Sequence, residues 1–160
     1  MIRAPGVTQA GSRTRALFET VDLYPTLVAL AGLPSPITTP ALDGRSFVAT
    51  LRDPKAPSKD AIFHAYPRPG SATGSGNLLG LAVRTERHRL VEWKKPGAAP
   101  ATAELELYDY QADPLETKNL AASQPEVTAR LRALLAAQPE ARPQVATKSE
   151  PNAAKKKKKK

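Results

Sequence analysis

Apolar positions along the chain follow two periods, helical at both ends and alternating in the middle. Leu23, Leu27, Leu30 and Ala31 recur three or four residues apart, which predicts a helix within Leu17 to Leu33. Thr20 or Asp22 is suited to cap its start, and Pro25 fits only in its first turn, where no N–H is needed. Gly32 and Pro34 then stop it. From Ala61 onward the pattern alternates. Strands are predicted over 61–66, ended by Pro67 and Pro69, and over 79–85, with Leu79, Leu81 and Val83 on one face. Two more follow over 87–94, where Arg89, Val91 and Trp93 alternate with Leu90 and Glu92, and over 104–108. The helical period returns over 124–137, where Val127, Leu131, Leu134 and Leu135 form one stripe behind Ser123 as cap and Pro125.

The connections are rich in turn formers. Residues 1–16 read as a strand end and a Gly-containing loop. Residues 34–59 read as an irregular link containing the Asp43-Gly44 turn, with a short helical or extended piece over 47–51. Gly70 to Gly76 is a small-residue loop, and residues 85–88 are short enough for a hairpin. The expected fold class is α+β: a small four-stranded antiparallel sheet with a packed C-terminal helix, preceded by a strand end and a helix belonging to another layer. The expected division is 1–60, then 61–137 as the sheet-and-helix unit, then a disordered Lys-rich tail over 138–160.

Charge changes this picture only at the tail. The net charge is +9, but from Gln138 onward eight basic residues stand against two acidic ones. That end therefore carries +6, and only +3 remains for residues 1–137. A mildly basic remainder gives little support to specific nucleic-acid binding. The Lys155 to Lys160 run is suited to non-specific attraction toward anionic polymers. With no cysteine, disulfides, thiolate metal sites and cysteine nucleophiles are excluded from these 160 residues. No apolar run has the length of a leader peptide or a membrane span.

Three motifs occur in order: Val21-Asp22-Leu23-Tyr24-Pro25-Thr26-Leu27-Val28-Ala29-Leu30-Ala31-Gly32-Leu33, then Leu42-Asp43-Gly44-Arg45-Ser46-Phe47, then Glu104 to Ala121 with its Tyr108-Asp109-Tyr110 and Asp113-Pro114 turns. Together they resemble the C-terminal part of the sulfatases, an alkaline-phosphatase-like superfamily. Ala65-Tyr66-Pro67-Arg68-Pro69 and Val83-Arg84-Thr85, with Arg87, Arg89 and Trp93, resemble iduronate-2-sulfatase-like members most.

The resemblance implies a sulfuric ester hydrolase acting on carbohydrate sulfates, exported or lysosomal. It also implies a large N-terminal domain that partners this region and holds a divalent cation, usually calcium, and a formylglycine nucleophile made from a Cys or Ser. The 160 residues contain no Cys-x-Pro-x-Arg or Ser-x-Pro-x-Arg stretch and no Gly-Asp-His-Gly stretch. No catalytic residue, metal ligand or cofactor is therefore expected in this chain, which alone should be inactive. The alternative is a non-catalytic binding or interaction module derived from a sulfatase. A third reading is an anion binder driven by the Lys tail.

Substrate contact is expected from Arg68, Tyr66 and His64 at the end of the first strand. There an arginine fork beside an aromatic ring suits a sulfated or uronic acid sugar. The competing reading is a Tyr-Pro-Arg-Pro strand terminator with a solvated arginine. Asp109 and Asp113 are read as turn-forming, not as an acid–base pair. His88 is read as an ordinary strand histidine. Arg84, Arg87 and Arg89 are read as a solvated sheet edge or a contact with the N-terminal domain.

Overall fold

The alternating middle of the chain forms the predicted sheet. The computed structural model describes residues 1–35, 37, 41–68 and 78–139. Strands β1 (Ala61–Arg68), β2 (Leu78–Thr85), β3 (His88–Lys94) and β4 (Glu104–Asp109) pair antiparallel in chain order. Phe63 faces Val83, Val83 faces Leu90 and Leu90 faces Leu107, so one register row supplies the core. Val83, Leu90 and Leu107 are fully buried and close over Leu131 of the C-terminal helix α3 (Pro125–Ala136). Val127, Leu135, Leu120 and Phe63 pack around them. Burial of each such side chain contributes about 1.5–3 kcal/mol.

Several boundaries differ from the sequence reading. β1 continues through Pro67 to Arg68. Pro67 sits on an edge strand, where a missing N–H breaks no ladder. α3 begins after Gln124 without a side-chain cap, while Ser123 donates its hydroxyl to the Leu120 carbonyl. Leu134 ends its stripe partly in water. Residues 1–16 form turns, with Leu17 bridging antiparallel to Lys59, so the expected strand end is reduced to that one bridge. The Gly70 to Gly76 loop and residues 140–160 of the expected tail lie outside the described residues.

The first helix is shorter than its pattern. A 3₁₀ turn (Thr20–Asp22) leads into α1 (Leu23–Leu30), and Gly32 turns away at φ 66°. Asp22 explains why this end is structured. Its carboxylate accepts from the Glu19 and Arg45 backbone N–H groups at 2.9 and 2.8 Å and from Lys59 Nζ at 2.8 Å. Glu19 accepts from the same ammonium at 2.5 Å and from the Phe63 N–H at 2.9 Å. Thr26 Oγ1 accepts from the Phe47 N–H at 3.0 Å, and the short helix α2 (Val48–Arg52) follows. Gly44 passes so close to Val21 that an added Cβ would lie 1.9 Å from the Val21 carbonyl oxygen. The first two motifs are thus one hydrogen-bonded joint, and Glu19 and Lys59 tie it to β1. Around it, Val21, Leu23, Tyr24, Leu27 and Leu33 remain exposed.

Candidate functional site

The strand period of two puts His64, Tyr66 and Arg68 on the face of the sheet opposite α3. The register sets Gly80 beside Tyr66, Trp93 beside Gly80 and Glu104 beside Trp93. Gly80 leaves the room that Trp93 fills, since a Cβ there would stand 2.5 Å from the indole ring. The ring therefore reaches across β2, and the Arg68 guanidinium stacks over it at 4.7 Å. Trp93 Nε1 donates to Glu106 at 3.1 Å, and Tyr108 donates to the same carboxylate at 3.3 Å. The arginine fork is held by an aromatic face while its far edge stays in water, next to Tyr66, which is 58% exposed. Glu104 lies 4.0 Å from Arg68, and both are exposed, so this pair contributes little. His64 stands near Tyr66, with ring centroids 6.1 Å apart. All three predicted residues therefore share one face. Gly80, Trp93 and Glu106 complete their setting, and the sequence reading missed that coupling.

The alternation of charge and ring continues along this face. Arg89 lies over Tyr108 at 5.3 Å and is paired with Glu116, which also accepts from Tyr110. Arg84 lies over Tyr110 at 3.4 Å. Burial and the Glu116 hydrogen bond push the Tyr110 phenol up. Glu116 has φ 57°, an unusual conformation for a side-chain-bearing residue, and its two partners hold it there.

Within the Asp109 to Ala121 motif, Asp109, Asp113 and Asn119 are each engaged in local hydrogen bonds. Arg87 donates to both Asp109 oxygens at 2.7–3.1 Å, and the Gln111 N–H adds a bond at 3.0 Å. The Arg87 guanidinium holds the Asp109 carboxyl down at about 2, with the backbone bond assisting. Asp113 accepts from the Lys118 N–H and the Thr117 hydroxyl and is lowered by them. Asn119 Oδ1 accepts from the Leu107 and Ala121 N–H groups and its Nδ2 donates to the Leu105 carbonyl, covering the outer edge of β4. His88 is buried, with Nε2 3.9 Å from Asp109, and burial lowers its pKa.

The described residues do not suit the cation that the resemblance implies. Among them no group of three or more His, Cys, Asp or Glu side chains converges. The buried carboxylates Asp22, Glu92 and Asp109 are each committed to a cation, and Asp22 and Asp109 also to backbone N–H groups. No described helix is long and apolar enough to cross a membrane.

Residues 1–141 match the family described as N-sulphoglucosamine sulphohydrolase, C-terminal. Arylsulfatase K of Danio rerio is 29% identical over 136 residues, covering 84% of this chain and 24% of its own length. N-acetylglucosamine-6-O-sulfatase of Bacteroides thetaiotaomicron is 29% identical over 124 residues, covering 75% of this chain and 20% of its own length. Among solved structures, that of BT4656 in complex with its substrate D-glucosamine-2-N,6-O-disulfate has a TM-score of 0.66 at 25% identity, covering 82% of this chain and 26% of that one. The chain thus spans about a quarter of the length of these relatives.

Proposed function

The chain belongs to the N-sulphoglucosamine sulphohydrolase C-terminal family, a C-terminal part of sulfatases, and from that premise we propose that it serves as the substrate-facing C-terminal subdomain of a carbohydrate sulfatase. The parent reaction is hydrolysis of a sugar sulfate ester, with the nucleophile and cation supplied by a large partner domain. In this reading residues 1–60 are the remnant of that domain, 61–137 are the subdomain, and 138–160 form a tail. The exposed Val21, Leu23, Tyr24, Leu27 and Leu33 favour a docking role over a self-sufficient module, since this apolar helix face has no cover among the described residues.

The observation that carries the reading is the Arg68–Trp93 stack beside Tyr66 and His64. A guanidinium held over an indole ring is ordered before the ligand arrives, and its free edge offers paired N–H donors to a sulfate or carboxylate. The ring of Tyr66 gives the sugar an apolar face to cover. The finer assignment to iduronate-2-sulfatase-like members rests on Ala65 to Pro69 and Val83 to Thr85.

Trp93 is the only tryptophan, so its fluorescence reports this site directly. Glucosamine 6-sulfate should change that emission saturably and neutral N-acetylglucosamine should not. Arg68→Gln should weaken the response about tenfold. An unchanged response in Arg68→Gln would remove the site. Purified chain supplied with calcium should not turn over a chromogenic sulfate ester, and turnover retained after removal of host enzymes would refute the division of labour.

A further inference from the structure

A second cluster of arginines lies at the opposite end of the same sheet face. Arg15, Leu17, Arg84, Glu86, Arg87, Tyr110 and Gln111 line a cleft of about 590 Å³. Arg84 and Arg87 are held by different devices. Arg84 stacks on Tyr110 at 3.4 Å, and its Nη1 also donates to the Glu86 carbonyl at 3.4 Å. Arg87 donates from one side to Asp109, leaving part of its guanidinium in water. Arg15 is exposed, but its loop is pinned on both flanks. Thr14 Oγ1 donates to the Pro54 carbonyl at 2.8 Å, and Leu17 bridges to Lys59.

Among the described residues, neither Arg15 nor Arg84 is paired with a carboxylate. Arg87 is offset by Asp109, so Arg15 and Arg84 stand against the single exposed Glu86. The cleft keeps a net positive charge with Arg84 and Arg87 already positioned, and an oxyanion entering it meets these donors without ordering them first. Glu86, Gln111 and the stacked ring are suited to the hydroxyls and apolar face of a sugar.

We propose that this hairpin-end cleft is a second anion site, one that takes a sulfate- or carboxylate-bearing sugar unit. The proposal rests on the reading of the chain as a carbohydrate-sulfatase subdomain and extends it to substrate length. Arg84 pairs with Ile62, six residues along β1 from Arg68, which places the two ends of the face about 20 Å apart. A single sulfated sugar fills one end at a time, while an anionic oligosaccharide spans both.

The test uses the full chain with Lys155 to Lys160 replaced by Gln, so that the Lys run does not mask binding. Amide shifts are followed by NMR while glucosamine 6-sulfate, glucuronate, inorganic sulfate or neutral N-acetylglucosamine is added. Saturable shifts at Arg84, Glu86, Arg87, Tyr110 and Gln111 with the sulfated sugar or with glucuronate, but not with the neutral sugar, are expected. The two anionic sugars tell a sulfate site from a carboxylate site. Arg84→Gln should weaken binding about tenfold and Arg15→Gln severalfold. The second variant changes a loop residue and leaves the sheet intact. Shifts that are absent, unchanged in both variants, or equal for the neutral sugar would overturn the proposal. So would inorganic sulfate binding as tightly as either anionic sugar. A Trp93 response without hairpin-end shifts would overturn this site alone and leave the Arg68 site standing.

Discussion

The two faces of the sheet are built on opposite principles from the same four strands. The face under α3 is dry, and Val83, Leu90, Leu107 and Leu131 meet with almost no exposed surface. The other face is a relay of charge and ring, from Arg68 on Trp93 through Glu106, Tyr108, Arg89, Glu116 and Tyr110 to Arg84. Hydrophobic burial is non-directional, so the first face mainly needs volume. Stacked guanidinium groups and shared carboxylates need geometry, so the second face orders its donors and leaves their edges available. Stability resides mainly in the first face, and the proposed recognition is placed on the second.

Leu131→Ala is the most direct way to break that division. It should cost about 2–5 kcal/mol in denaturant unfolding by opening a cavity against three fully buried partners. A loss under about 1 kcal/mol would mean that α3 is not what closes the core.

Asp109→Ala should cost less, about 1–3 kcal/mol. It strands Arg87 and the Gln111 N–H at the end of β4. Urea unfolding beside wild type measures it.

Gly80→Ala addresses the open face alone. The new Cβ would displace the indole of Trp93. The expected cost is about 1 kcal/mol, together with a changed tryptophan emission and a weaker glucosamine 6-sulfate response. An unaltered emission would show that Trp93 does not lie across β2.

Acidity sharpens the comparison further. His88 has a folded pKa below its ordinary 6.5, chiefly from burial. The unfolded chain therefore binds this proton more readily, and stability should fall as pH drops below about 6.5. Asp109 is also lowered, from 3.8 to about 2, so its contribution is present above 3.8 and is lost as pH falls through that lower range. Thermal melts across pH 2–8 should show two separate losses, and His88→Gln should remove only the upper one.

Arg68→Gln closes the series with the smallest stability effect, within about 0.5 kcal/mol, since Arg68 is itself exposed and its partners are the face of a half-buried ring and an exposed glutamate. Its effect on ligand binding should be the larger one. The opposite ranking would place Arg68 in the scaffold.

The sequence by itself determined the elements and the family. Period-two alternation separates inward Val83, Leu90 and Leu107 from outward Arg84, Val91 and Trp93, because successive strand residues must point apart. The Asp-Pro and Asp-Gly turns and the order of three motifs carry the resemblance with local information alone. His64, Tyr66 and Arg68 were legible as candidates because they too sit two apart on one strand. Their setting was not. β2 and β3 are joined by only Glu86 and Arg87, which constrains their register, but β1 and β2 are separated by residues 69–77, and a loop of that length leaves register open. Only the folded sheet set Arg68 over Trp93 with Gly80 making room between them. The ion joint of Glu19, Asp22 and Lys59 and the pinning of Thr14 to Pro54 likewise link residues about forty positions apart. Such contacts depend on how chain ends and sheet edges close on one another, which no local pattern encodes.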